Sequence, residues 1–82
     1  MMVMIGHGNY IERGLVAVIL QPDSSHAKKL RKNADDKDML INATSGHKTR
    51  SVIVLTTNQV VLSSLSSDGL KKRLDELYRP QS

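Results

Sequence analysis

The stretch "INATSGHKTRSVIV", residues 41–54, places a glycine, a histidine and two basic residues between two apolar segments. Lys48 and Arg50 can donate hydrogen bonds to phosphate oxygens, and His47 joins them when protonated. On a tight turn such side chains are held at fixed spacing and lose little entropy on binding, which suits contact with a nucleic-acid backbone. A solvated turn kept soluble by charge has the same composition, so from the residues alone both readings stay open.

Other constellations fall short of the chemistry they suggest. "GHKT" ends like a phosphate-binding P-loop, but that motif needs glycine directly before the lysine, another glycine five residues further upstream, and a helix afterwards. Here His47 precedes Lys48 and a strand is expected to follow. "GHG" at Gly6, His7 and Gly8 lacks the third glycine and the helix of a dinucleotide site and reads as a turn or bulge. His7, His26 and His47 have no short metal-ligand spacing, and Asp35, Asp36 and Asp38 do not form a calcium loop. Ser63, Ser64, Ser66 and Ser67 read as strand-end and capping residues, because no histidine lies near them in sequence. No enzymatic activity, metal, cofactor or small-molecule ligand is expected.

These residues must be positioned by a small frame. With 82 residues, a single domain over 1–82 buries only about 60% of its unfolded surface. Tyr10 and Tyr78 are the only aromatics, so Leu, Ile and Val must fill the core. The net charge of +4 favours an anionic partner. Single-strand binders stack bases on exposed aromatics, and so few are present here that a backbone-directed mode on duplex DNA fits better. Each chain supplies few charges, so strong binding needs several copies along the DNA. The absence of cysteine excludes disulfides and thiol chemistry. The opening "MMVMIGHGN" has no basic leader, and its apolar run is far shorter than the roughly 20 residues of a membrane span. A soluble cytoplasmic protein is expected, without a membrane partner.

The apolar pattern predicts a strand at Val3–Ile5, a turn over Gly6 to Asn9, a brief extended piece at Tyr10 and Ile11, a turn at Glu12-Arg13-Gly14, and a strand at Leu15–Leu20. Pro22 stops that strand, and Asp23, Ser24 or Ser25 can cap a helix with Ala27, Leu30 and Ala34 on one face and Lys28, Lys29, Arg31 and Lys32 around the rest. Asp35, Asp36 and Asp38 read as the polar turn that ends it. Met39–Thr44, Lys48–Thr56 and Gln59–Ser63 are expected as strands, with turns at Ser45-Gly46-His47 and Thr57-Asn58. Ser67 can cap a final helix carrying Leu70, Leu74 and Leu77, and Arg79–Ser82 reads as a frayed tail. The expected architecture is α+β, with a small, mainly antiparallel five-stranded sheet and two helices. Leu15–Leu20 and Val52–Leu55 are apolar on both faces, more than two short helices can cover, so contact with another subunit is expected.

The combination "IGHGNYI", then a strand and "PDSS" before a basic helix, then "MLINATSGHKTRSVIV" and "VVLSSL", resembles the bacterial RemA family of extracellular matrix regulators. The match runs from about Ile5 to Leu74. The resemblance implies a small DNA-binding protein with a sheet related to LytTR-type domains, assembled into a homo-oligomeric ring that wraps DNA around its rim. It implies transcriptional activation of biofilm-matrix and osmoprotection genes, with no effector or cofactor. The family's two arginines after the loop glycine fall on His47 and Lys48, and a third falls on Leu15. Lysine still pairs with phosphate as a point charge, but it lacks the planar fork of guanidinium, and histidine is mostly neutral above about pH 6.5. The candidate DNA contacts are therefore His47 and Lys48, followed by Arg50 and by Arg13, two residues before Leu15. The alternatives are a ring that keeps the assembly but has lost DNA binding, and an RNA-binding module using Tyr10.

Overall fold

The computed structural model describes residues 1–77. Among them are the strands β1 (Met2–Gly6), β2 (Asn9–Glu12), β3 (Val16–Leu20), β4 (Leu40–Asn42), β5 (Ser51–Leu55) and β6 (Val60–Ser63), and the helices α1 (Ser25–Asp36) and α2 (Ser67–Leu77). A 3-10 turn, Arg13–Leu15, leads into β3. The α+β class and both helices agree with the sequence reading. The expected tail at Arg79–Ser82, Tyr78 and the side chain of Leu77 lie outside the described residues.

The single five-stranded sheet does not form. β1 and β2 pair antiparallel as a separate two-stranded sheet, and the other strands make a four-stranded sheet in the order β3-β5-β6-β4. The cause is local. Gly6, His7 and Gly8 have φ of 110°, 55° and 77°, so the chain reverses at once and β1 takes the adjacent β2 as its partner.

The second correction concerns the loop after β4, which is not a hairpin tip. β4 runs parallel to β6, with Leu40 opposite Val60 and Asn42 opposite Leu62, whereas β5 is antiparallel to both β6 and β3. Residues 43–50 must therefore cross the end of β6 to connect strands that are not neighbours. Asn42 initiates the crossing: its Oδ1 accepts from the Thr44 amide at 3.0 Å and from the Thr44 hydroxyl at 2.6 Å, an Asx-type turn. Lys48, Thr49 and Arg50, expected at the start of a strand, belong to this crossing.

Both faces of the four-stranded sheet are covered at its centre. α1 packs Ala27 and Ala34 against Val52, Val60 and Leu62. On the opposite face, Ile5 from β1 and Leu70 from α2 meet Ile53, Leu55 and Val61. β5 is thus buried on both faces, as its composition implies. β3 is not: among the described residues its one strand partner is β5, and at this edge the cover runs out, leaving Val18 45% and the preceding Leu15 37% exposed.

The signals for the first helix and the hairpin turn hold locally, whereas the expected Ser67 cap does not: Ser67 is already the first residue of α2, and Ser66 Oγ accepts the Gly69 amide at 3.1 Å. Ser24 is the N-cap of α1, its Oγ accepting the Ala27 amide at 3.1 Å. Lys28, Lys29, Arg31 and Lys32 face solvent. The helix runs through Asp36, and the chain leaves it at Asp38, where φ is 58°. The β5–β6 hairpin turns at Thr57 and Asn58 as expected, with Asn58 at φ 71° and the Leu55 amide donating to the Gln59 carbonyl at 2.9 Å. No helix among the described residues is long and apolar enough to cross a membrane.

Candidate nucleic-acid interface

Three chain segments far apart in sequence meet at the end of β6. The first is the β1–β2 turn with His7, the second is the crossing loop with His47, Lys48 and Arg50, and the third is Ser64, just after β6. Together these five side chains line a cleft of about 310 Å³. Among the described residues no carboxylate lines it, so they do not cancel its positive field locally.

Backbone conformation delivers each residue. In the crossing loop Ser45 and Gly46 have φ of 51° and 83°, and the His47 amide donates to the Thr44 carbonyl at 3.0 Å. The resulting tight turn presents His47 and Lys48 to solvent. In the β1–β2 turn, Gly6 allows the chain to pass close to Ser64: a β-carbon at Gly6 would stand 3.2 Å from the Ser64 hydroxyl.

The frame behind the cleft is held by buried hydroxyls. Ser63 is fully buried, donating to the Ile5 carbonyl at 2.7 Å and accepting the Leu65 amide at 3.1 Å. Ser51, also fully buried, donates to the Leu65 carbonyl at 2.8 Å. The Arg50 amide donates to the Ser63 carbonyl at 2.8 Å, and the Asn9 side chain donates to the Ala43 carbonyl at 3.2 Å. These bonds tie the turn, the crossing loop and the end of β6 into one unit. Hydroxyls buried with full hydrogen bonding fix geometry better than apolar contacts of the same size.

Within the cleft the imidazoles of His7 and His47 stack, with centroids 4.3 Å apart and planes inclined by 12°. His7 Nε2 shares a hydrogen bond of 2.9 Å with the Ser64 hydroxyl. Neither Lys48 nor Arg50 takes part in the ion pairs found among the described residues.

Of the four residues singled out in the sequence, the structure gathers His47, Lys48 and Arg50 and leaves Arg13 elsewhere. Arg13 Nε donates to the Leu74 carbonyl in the last part of α2 at 3.2 Å, where a cation also meets the negative end of the helix dipole. Sequence reasoning passed over His7 and Ser64. The flanking glycines mark His7 as a turn residue, but its meeting with His47 depends on the crossing loop. A larger hollow of about 470 Å³ runs beside α2, lined by Asp68, Lys71, Lys72, Asp75 and Glu76. Its charges have both signs and Lys71 pairs with Asp75 at 2.9 Å, so it presents no comparable field to an anion.

The basic cleft and the strand order now stand beside a match of residues 2–74 to the family model described as "Extracellular matrix regulatory protein A-like". The chain belongs to the RemA-like family. Similar proteins carry the name "Putative regulatory protein". One from Nitratidesulfovibrio vulgaris (strain DP4) is 37% identical over 75 residues, 92% of this chain and 87% of the relative. Another from Thermodesulfovibrio yellowstonii is 34% identical over 79 residues, covering 96% and 93%. A third from Leptospira biflexa is 41% identical over 71 residues, covering 87% and 76%. The RemA-like match thus spans nearly all of the described chain, including every residue of the cleft.

Proposed function

We propose that this RemA-like protein is a non-enzymatic regulator that binds the phosphate backbone of duplex DNA through His47, Lys48 and Arg50. The observation that carries the reading is the carboxylate-free cleft that gathers these side chains on one crossing loop. The names of the relatives as regulatory proteins support it, and so does the scarcity of aromatics for stacking single-stranded bases. By its family resemblance, its targets are genes of matrix formation and osmoprotection and it acts in the cytoplasm.

One cleft neutralises few phosphates, so useful affinity calls for several copies on one duplex. The two outer strands of the larger sheet suit such an array. At the β3 edge Leu15 and Val18 are exposed; beside β4, Ile41 and Tyr10 are 43% and 57% exposed. Unlike edges meeting head to tail generate a ring when the rotation closes. The rival reading, a ring without DNA binding, is favoured by His47 and Lys48 standing where the family has arginine.

Lys48→Ala tests the contact in a gel-shift assay at low salt. The expected result is weakened duplex retention and a salt slope lower by about one contact. Unchanged retention would remove Lys48 from the interface. Loss of all retention in the unaltered protein would favour the rival reading, and tighter binding to single-stranded RNA that depends on Tyr10 would favour an RNA module.

A further inference from the structure

We propose that His7, fixed by Ser64, is a second and pH-dependent phosphate ligand of the cleft, so that one phosphodiester is held from both the β1–β2 turn and the crossing loop. This rests on the duplex-DNA reading and adds a residue and a control to it. Three observations converge. His7 is held in a left-handed conformation, φ 55°, between Gly6 and Gly8, an uncommon backbone for a residue other than glycine. Its ring lies 4.3 Å from that of His47. Its Nε2 is anchored to the Ser64 hydroxyl at 2.9 Å.

The chemistry follows from the inventory of donors. In the neutral ring one nitrogen donates and the other accepts. On protonation both become donors: Nε2 stays with Ser64, and Nδ1 is left with a proton to offer an anion. With Nε2 donating, the Ser64 hydroxyl accepts from the ring and can turn its own hydrogen outward. The same proton places positive charge on a ring stacked against His47. A phosphate seated beside the pair offsets their mutual repulsion, so binding and proton uptake favour each other. The charged and titratable groups facing the pair are Lys48 and Arg50 of the crossing loop; the end of β6 contributes only the neutral Ser64. With no carboxylate in the cleft to neutralise the rings, the added charge is felt by the ligand.

For a histidine at the reference pKa of about 6.5, affinity that required the protonated form would rise about 8-fold between pH 7.5 and 6.0. For any single-proton group the ceiling is the rise in proton concentration itself, about 30-fold between those pH values.

The test is filter binding of a labelled duplex at constant ionic strength, without phosphate buffer, at about pH 6 and about pH 8. It compares the unaltered protein with His7→Phe, which keeps an aromatic ring against His47, and His7→Asn, which suits left-handed backbone. Melting curves at both pH values verify that each variant is folded. The expected result is near-equal affinity of all three proteins at about pH 8 and a several-fold deficit of both variants at about pH 6. Variants that follow the unaltered protein at both values overturn the proposal while leaving the duplex reading intact. A protein that retains no duplex at either pH overturns the duplex reading, and this proposal with it.

Discussion

Replacing Ser63 with alanine removes one hydroxyl from the frame behind the cleft. Ser63 Oγ donates to the Ile5 carbonyl at 2.7 Å and accepts the Leu65 amide at 3.1 Å, in a position with 0% exposure. Ile5 is itself 1% exposed, so solvent cannot readily take over the lost bond. A buried polar group left without a partner costs about 1–3 kcal/mol. The carbonyl is more tolerant than an amide because its remaining lone pair still accepts weak contacts, so about 2 kcal/mol is a reasonable sum. In a domain of this size that lowers Tm by roughly 8–16 °C. Thermal unfolding followed by circular dichroism measures it, with Thr57→Ala as the control. Thr57 is exposed, and its Oγ1 donates to the Gln59 side chain at 2.9 Å in a solvent-exposed bond, so its loss should fall within about 0.5 kcal/mol. A Ser63→Ala melt within about 3 °C of the unaltered protein would refute the claim that this hydroxyl ties β1 to the sheet.

Leu70, 1% exposed against Ile5, Ile53 and Leu55, should cost about 2–5 kcal/mol when cut to alanine; urea denaturation reads this, and a loss below about 1 kcal/mol would show that α2 is not anchored there. The Glu12 carboxyl is held below its ordinary value, first by its hydrogen bond from the terminal ammonium of Met1 and then by that from the Gly14 amide. A folded pKa below the unfolded one means stability that is present above the ordinary carboxylate range and is lost as pH falls through the folded value. The advantage of the unaltered protein over Glu12→Gln should therefore be seen in melts at neutral pH and fade in acid; a constant difference from neutral pH to about pH 3 would contradict this.

Local signals in the sequence were legible wherever the cause was local. Ser24 caps α1, Ala27 and Ala34 face the sheet, and Thr57-Asn58 turns a hairpin, each decided by a handful of adjacent residues. Sheet pairing was not. "LINATSGHKTRSVIV" reads equally well as a hairpin or a crossing, because the alternation of β4 and β5 is the same in both. What decides is the competition for β6, whose two sides are taken by β5 and β4. The same limit applied to β3: its apolar run signalled burial on both faces, yet an edge position leaves Val18 exposed. The candidate site was half legible. His47, Lys48 and Arg50 share one loop and were evident as a group, whereas His7 and Ser64 are separated by 57 positions and meet only through the fold.

Duplex binding through phosphate contacts is read by titrating a labelled duplex with the unaltered protein at about 50 mM and about 200 mM salt, beside single-stranded RNA of the same length. The expected result is retention of the duplex that falls steeply with salt, with weaker retention of the RNA. Absence of duplex binding at the lower salt, or binding indifferent to salt, would contradict it.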